Sequence, residues 1–411
     1  MEMKKYKLGE ICRIASARRI FENEYVAAGI PFIRGQEVSD GSLTNPKSKF
    51  QCYISKKRFE ELKKEYGIPK KGDILITAVG TIGNLCYLDK DIDFYFKDGN
   101  LIWFSDFKED ILSEYLYFFM KGDYFKKQLN HTLIGAVQKA LTMEKLSKIE
   151  IIVPPLPTQQ KIAAVLSSLD KKIALNSRIN ARLEQMAKRL YEHYFVQFDF
   201  PTADGKPYKT SGGKMVYSSE LKREIPEGWE VKSLFDVSDV IYGFPYATEP
   251  FDEDVEKSEK PYSVIRIRDI LENTISAKTT EVVEEKYKTQ IGDLLIGMDG
   301  YFHMNFWSRN GDYVNQRITR IRKTYISTLI LYHQILPFIK FKEERAKGST
   351  VGHLSDKDIK QIKVLIPDNK NISNEFDSIL NLIMKNRQKN KNLSRIRDRL
   401  LPLLMNGQVS V

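Results

Sequence analysis

The chain has 411 residues, a formal net charge of +11 and a pI near 9.2, with 42% hydrophobic and 11% aromatic residues. That length predicts two or three domains, each able to bury a core, and the composition excludes a disordered chain. The basic excess favours a polyanionic partner, no stretch is long and apolar enough to span a bilayer, and no apolar run follows Met1-Glu2-Met3-Lys4-Lys5 to make a signal peptide, so a cytoplasmic protein is expected. Cys12, Cys52 and Cys86 lack CxxC spacing and read as free thiols in a reducing compartment.

Residues 1–157 read as a first α+β globule. Ile30-Pro31-Phe32-Ile33-Arg34 predicts a strand entering a loop at Gly35, and residues 55–66 a short helix. Lys70-Lys71-Gly72-Asp73 is a turn before a buried strand, Ile74 to Ala78. Residues 111–129 predict a second helix with Ile111, Tyr115, Phe118 and Phe119 on one face.

Residues 158–198 change character. Thr158 can cap a helix with a heptad-like ladder of Ile162, Leu166, Leu169, Ile173, Leu183, Leu190 and Tyr194, interrupted by Asn176 and Asn180. Residues 199–228 are a turn-rich linker, irregular by its Gly and Pro content. Residues 229–371 then repeat the first globule and residues 372–411 repeat the helix. Gly292-Asp293-Leu294-Leu295-Ile296 matches Gly72-Asp73-Ile74-Leu75-Ile76, and the run Gly348 to Leu354 echoes Gly135 to Leu141. In the second helix Phe376, Ile379, Ile383, Leu393, Leu400 and Leu404 form the ladder, with Asn386 and Asn390 in the matching gap.

Neither helix can bury such a seam alone, so an intramolecular coiled coil is expected. Its asparagines either pair to fix register or face solvent. A repeat of about 200 residues is too long for a solenoid and implies two homologous domains.

Catalytic signatures are missing from the sequence. Gly212-Gly213-Lys214-Met215 is not a phosphate-binding loop, no HExxH or EF-hand pattern occurs, and the histidines are scattered. Glu284-Glu285-Lys286 fits half of a nuclease site formally, but reads as a solvated turn. Asp73 and Asp293 follow a turn glycine and read as turn caps rather than as catalysts. This favours a binding or scaffolding protein with no cofactor and no metal of its own.

The combination of motifs resembles the specificity subunit of type I restriction–modification systems. It comprises Lys71-Gly72-Asp73-Ile74-Leu75, the loop Gly135 to Leu141, Val153-Pro154-Pro155-Leu156-Pro157, and Gln159-Gln160-Lys161-Ile162 through Leu166. Phe198-Asp199-Phe200-Pro201 through Lys214-Met215, and Arg399-Leu400-Leu401-Pro402 through Gly407, complete it. Residues 367–372 depart from the pattern by lacking the Pro-Pro-Leu…Gln-Gln run.

The resemblance implies an α+β fold of two target recognition domains, each followed by a long helix, with the helices packed antiparallel. It further implies a non-catalytic subunit that reads a split double-stranded DNA target. The helices would set the spacer and dock two methyltransferase subunits. S-adenosylmethionine would belong to those partners, which methylate adenine N6, and ATP and magnesium to motor-nuclease subunits.

Base readout needs donors on loops beside strands. In the first domain the candidates are Arg18, Arg19, Arg34, Gln36, Thr77, Thr81 and Asn84, with Lys139 suited to phosphate; the run Thr77 to Asn84 reads equally as a tight hairpin with no ligand, and the resemblance favours DNA. In the second they are Tyr242, Tyr246, Arg266, Arg268, Asp299, Tyr301 and His303, with Ser349 and Thr350 near phosphate. Arg266 and Arg268 alternate with Ile265 and Ile267, which predicts a strand with both arginines on one face. Residues 385–399 carry Lys385, Arg387, Lys389, Lys391, Arg395, Arg397 and Arg399 against Asp398 alone, by default a solvated helix face and otherwise a basic face for a partner subunit or the DNA backbone. The two domains differ in their loops, so an asymmetric target is expected. A stand-alone bipartite DNA-binding regulator and a coiled-coil scaffold without DNA remain as alternatives.

Overall fold

The two Gly-Asp turns open equivalent strands. In the computed structural model, which describes residues 3–44, 49–133, 140–246, 262–346 and 352–409, Gly72 and Gly292 have φ of +92° and +90°. Only glycine takes that left-handed turn without strain. The strands that follow, Ile74–Thr77 and Leu294–Gly297, are buried at every position. The chain divides into two compact units, residues 1–171 with 393–411, and residues 172–392.

In the first unit a four-stranded antiparallel sheet has the order Arg13–Ala15, Leu101–Ser105, Ile74–Thr77, Leu85–Tyr87. A second sheet holds Tyr25–Val26, Tyr53–Ile54, Ile30–Ile33 and Tyr95–Phe96, the last pair parallel. Lys4–Lys7 pairs with Glu150–Val153 and so ties the start of the globule to its end.

The second unit repeats the plan. Its main sheet has the order Ser238–Tyr242, Ile318–Lys323, Leu294–Gly297, Met304–Phe306. Ala277–Thr279, Tyr262–Ile265 and Tyr313–Val314 make the second sheet, again with one parallel pair. Glu230–Ser233 pairs with Lys363–Ile366.

Three local expectations are corrected. Residues 111–129 are not one helix: Ser113–Lys121 and Asp123–Leu133 are separated at Gly122, whose backbone is extended. Gly35 does not begin a loop but the short helix Gly35–Ser39, because the Glu37 carboxylate accepts from the Arg34 N–H at 2.8 Å. The linker is less irregular than expected, since Met215–Ser218 and Arg223–Pro226 form a hairpin.

The long helices are Leu156–Tyr191 and Lys370–Met405, each of 36 residues and so about 54 Å long. The first starts two residues before Thr158 and continues as a π-helical turn, Glu192–Val196. In the second unit Asn176 Nδ2 donates to Asn390 Oδ1 at 2.8 Å, and Asn386 Nδ2 to Asn180 Oδ1 at 3.0 Å. As one number rises the other falls, so the helices run antiparallel there. Each pair also reaches a facing backbone carbonyl: Asn180 that of Ile383, and Asn390 that of Ile173, both at 3.2 Å. Around these pairs Ile379 and Ile383 are buried, while Ile173, Leu183 and Leu190 are half-buried.

In the first unit Ile162 and Leu166 share a core with Leu404 and Met405, against which Leu400 packs, and Leu169 and Leu393 are half-buried. Arg397 Nη1 lies 2.7 Å from Asp170. Beyond the first helix, Phe195 and Phe200 pack on Trp229 with ring centroids 5.2 and 4.8 Å away, inside the second unit's core.

Candidate nucleic-acid interface

The turn caps mark the starts of the two equivalent strands, Ile74–Thr77 and Leu294–Gly297. Asp73 accepts from the Lys70 N–H and from Trp103 Nε1, both at 2.8 Å. Burial pushes its carboxyl above the ordinary carboxylate range, and those donors oppose the rise. Asp293 accepts from the Gln290 N–H at 2.7 Å and takes both Nε and Nη2 of Arg322 at 2.9 and 2.8 Å. These carboxylates are occupied in holding the sheets.

At the far end of Ile74–Thr77 lies the loop that carries the first domain's candidates. Thr77 is buried: its hydroxyl donates to the Thr81 carbonyl and accepts from the Asn84 N–H at 2.9 Å. It holds the turn and presents nothing outward, which corrects its assignment as a groove-lining donor. Thr81 is exposed, and Asn84 is half-buried with its amide on Ser39 Oγ at 2.8 Å. Beside this loop, Ser16 Oγ donates to the Leu101 carbonyl at 3.2 Å and the Arg18 N–H to the Tyr95 hydroxyl at 2.9 Å. These bonds fix the segment that displays Arg18 and Arg19, both exposed. Arg19 Nε meets Asp98 Oδ2 at 2.9 Å. Arg34 is half-buried against Gln51 and Glu37, and Gln36 is exposed on its short helix.

The second unit places a different set at the equivalent loop. Asp299 binds His353 Nδ1 at 2.6 Å and Arg317 Nε at 3.2 Å. Tyr301, 71% exposed, stacks on His303 with centroids 5.8 Å apart. The loop is anchored by Met298 N–H to the Arg317 carbonyl at 2.9 Å and by Leu354 N–H to the Met298 carbonyl at 2.8 Å. In the first unit Ala78 makes the same bonds with Asn100 and Leu141.

Other assignments change. Arg266 and Arg268 are not on a strand: Tyr262–Ile265 ends before them and Ile267–Asp269 is a 3₁₀ turn. The buried Asp269 carboxylate accepts from the Arg266 N–H at 2.9 Å and from Ser276 Oγ, which draws the chain into that turn. Tyr246 is buried among Phe244 and Tyr313 and belongs to the core, while Tyr242 is half-buried on its strand. Arg387 does not lie on a free basic face: its Nη1 donates to Asn305 Oδ1 at 2.8 Å and to the Phe306 carbonyl at 3.0 Å. Arg397 is likewise held by Asp170 and Asp398, whereas Lys385, Lys389, Arg395 and Arg399 are exposed. Lys139, Ser349 and Thr350 lie outside the described residues.

Asp98, Arg317 and His353 were missed in the sequence. Each sits in a short connection with only turn residues as a signal.

Glu284 pairs with Lys286 and Glu285 with Lys288, and among the described residues no cluster of His, Cys, Asp and Glu could hold a metal. Cys12 and Cys86 are buried, which pushes both thiols up to about 12. No helix among the described residues is long and apolar enough to cross a membrane.

The family model described as "Type I restriction modification DNA specificity domain" matches residues 1–185 and 226–395. The chain belongs to that family. The two matched stretches contain the two sheet sets, so the duplication is a duplication of the specificity domain.

Among its relatives, the type I restriction enzyme MjaIX specificity subunit of Methanocaldococcus jannaschii is 27% identical over 94% of this chain and 88% of its own length. The HindI specificity subunit of Haemophilus influenzae is 25% identical over 99% of this chain and all of its own. A putative specificity subunit, S.HindORF215P, from the same species is 33% identical, but the match spans 46% of each chain. The crystal structure of the type I S subunit from M. genitalium shares the fold, with a TM-score of 0.57, 16% identity and coverage of 98% and 96%.

Proposed function

We propose that this specificity subunit reads an asymmetric, split double-stranded DNA sequence, one half with each domain, for a type I restriction–modification complex. One observation carries the reading. The same scaffold is built twice, and the equivalent loops after Ile74–Thr77 and Leu294–Gly297 expose Thr81 in the first unit and Tyr301 in the second, with Arg19 on a segment beside the one and Arg317 and His353 beside the other. Identical loops would read the same bases in both halves.

The helix pair sets the distance between half-sites and docks two methyltransferase subunits. Leu175, Ile179 and Met186, exposed at 41, 39 and 53%, recur at helical spacing on the first helix and supply an apolar stripe for a helical partner. The chain itself does no chemistry. S-adenosylmethionine belongs to the methyltransferase subunits, which flip and methylate the adenine, and ATP and magnesium to the motor-nuclease subunits. The complex acts in the cytoplasm, on host DNA.

Two weak readers joined in one chain gain effective concentration for each other. The test is co-expression with a methyltransferase subunit followed by mapping of N6-methyladenine across host DNA. A split motif with unlike halves and one modified adenine in each is the expected result. A palindromic motif rejects the asymmetry, and a stable complex that leaves DNA unmodified rejects the assignment.

A further inference from the structure

We propose that Arg19 and Arg317 each read a guanine, one in each half of the target, and that Asp98 and Asp299 position them. The inference rests on the reading of the chain as a DNA specificity subunit.

The loop between the parallel-paired strand and the next strand of the main sheet is equivalent in the two units. It runs from Phe96 to Leu101 in the first and from Val314 to Ile318 in the second. In the first unit this loop supplies Asp98 and the neighbouring segment supplies the arginine. In the second it supplies Arg317, and the tip of Leu294–Gly297 supplies the aspartate. Two different sequences thus arrive at the same pair beside the same loop.

Both pairs bring an aspartate carboxylate to Nε, as a hydrogen bond in the first unit and as an ion pair in the second. Arg19 Nε lies 2.9 Å from Asp98 Oδ2, and Arg317 Nε 3.2 Å from Asp299 Oδ2. The arginine side chains are 67% and 54% exposed, while the aspartates are only 19% and 27% exposed. Among the described residues neither guanidinium has a partner at a terminal nitrogen. Arg58, Arg309, Arg322 and Arg397, in contrast, each have one engaged.

A carboxylate beside Nε restrains the guanidinium and leaves Nη1 and Nη2 of an exposed side chain as two adjacent donors. Guanine offers O6 and N7 as two adjacent acceptors in the major groove, the best match to that fork. An exposed ion pair by itself adds little stability, so folding gives no reason for both units to carry one here.

The backbone around each pair is held by hydrogen bonds. Gly99 N–H reaches Ser16 Oγ at 3.4 Å in the first unit. In the second, Phe244 N–H bonds the Val314 carbonyl at 2.8 Å and Gln316 N–H the Phe244 carbonyl at 2.9 Å.

The experiment is selection of randomised duplexes by the full-length chain at one fixed salt concentration, repeated for Arg19→Ala, Arg317→Ala, Asp98→Asn and Asp299→Asn. The wild-type chain should enrich a split motif with a guanine in each half. Arg19→Ala should remove a preference of roughly 5- to 150-fold at one guanine of one half, and Arg317→Ala the same in the other half. All other positions should stay as in the wild type. Each Asp→Asn variant should weaken the preference at its own arginine's position alone, which a purely structural aspartate would not do.

Variants that weaken binding to all sequences alike, with a shallower salt dependence, would mark phosphate contacts and overturn the proposal. So would a wild-type motif lacking guanine in either half. Both outcomes leave the chain a DNA reader. Failure of the wild-type chain to enrich any motif overturns the DNA-reading function as well.

Discussion

Asp293 and Asp73 do the same job with different partners, and the difference is measurable. Asp293 is 2% exposed and neutralises Arg322, whose guanidinium is held protonated above its ordinary value by that carboxylate. Asp293→Ala leaves a largely buried cation unpaired and should cost about 3 kcal/mol. Asp73→Ala removes a neutral indole donor's partner and a turn cap, and should cost about 1–2 kcal/mol. Urea midpoints of the two variants decide the matter, and equal midpoints would refute the ranking. The caps were legible because each aspartate follows a turn glycine and precedes a strand. Their partners were not, because Trp103 and Arg322 arrive from the neighbouring strand 29 to 30 residues away.

His333 makes a second residue-scale prediction. Burial, then the nearby Lys188 charge, depresses its imidazole to about 4, and its ring stacks on Tyr191 at 5.1 Å. Its Nε2 is buried with no partner among the described residues. An unfolded histidine titrates near 6.5, so the unfolded chain binds a proton that the folded chain refuses. The resulting stability is full above pH 6.5 and is lost as pH falls from there through 4, by roughly 3 kcal/mol. His333→Phe keeps the stack and should flatten the stability of residues 172–392 across that window. A profile unchanged from the wild type removes His333 as the cause.

At the scale of elements, the asparagine pairs are the sharpest feature of the helix pair. Asn180→Leu removes the acceptor of the Asn386 amide and should destabilise by about 1–2 kcal/mol. Replacing both Asn180 and Asn386 by Leu should recover most of that loss, because a matched apolar pair tolerates burial. A double-mutant cycle with strictly additive losses would refute direct pairing.

The ladders themselves were legible, since heptad spacing repeated at one constant offset through both helices. Elements governed by one side chain were not. Alternation around Arg266 and Arg268 imitated a strand until Asp269 captured the backbone, and the helix predicted over 111–129 breaks at the single residue Gly122. The interface candidates fared similarly: exposed loop tips were readable as loops, but whether a hydroxyl such as that of Thr77 turns inward depends on the loop's own closure.

At the scale of the molecule, the duplication was plain from the Gly-Asp strands and the paired ladders. The contribution of the last residues to the first unit was not, because contact across the length of the chain leaves no local mark. Leu404 and Met405 are 2% and 6% exposed in a core with Leu8, Ile11 and Ile162. Truncation after Asn392 should therefore loosen residues 1–171, where those side chains belong, and leave residues 172–392 protected. Hydrogen exchange resolved by segment tests this, and loss spread evenly over both units would contradict it.

The same packing imposes an order on biosynthesis. Residues 1–171 leave the ribosome before residues 172–392, yet their core lacks its closing side chains until the final turns of helix Lys370–Met405 emerge. The intervening residues take roughly 10 to 45 s to synthesise at ordinary rates. During that interval the nascent first reader exposes the apolar surface that Leu404 and Met405 will cover. A chain that stops before Leu393 never covers that surface, and its first unit stays open where Leu404 and Met405 would close it.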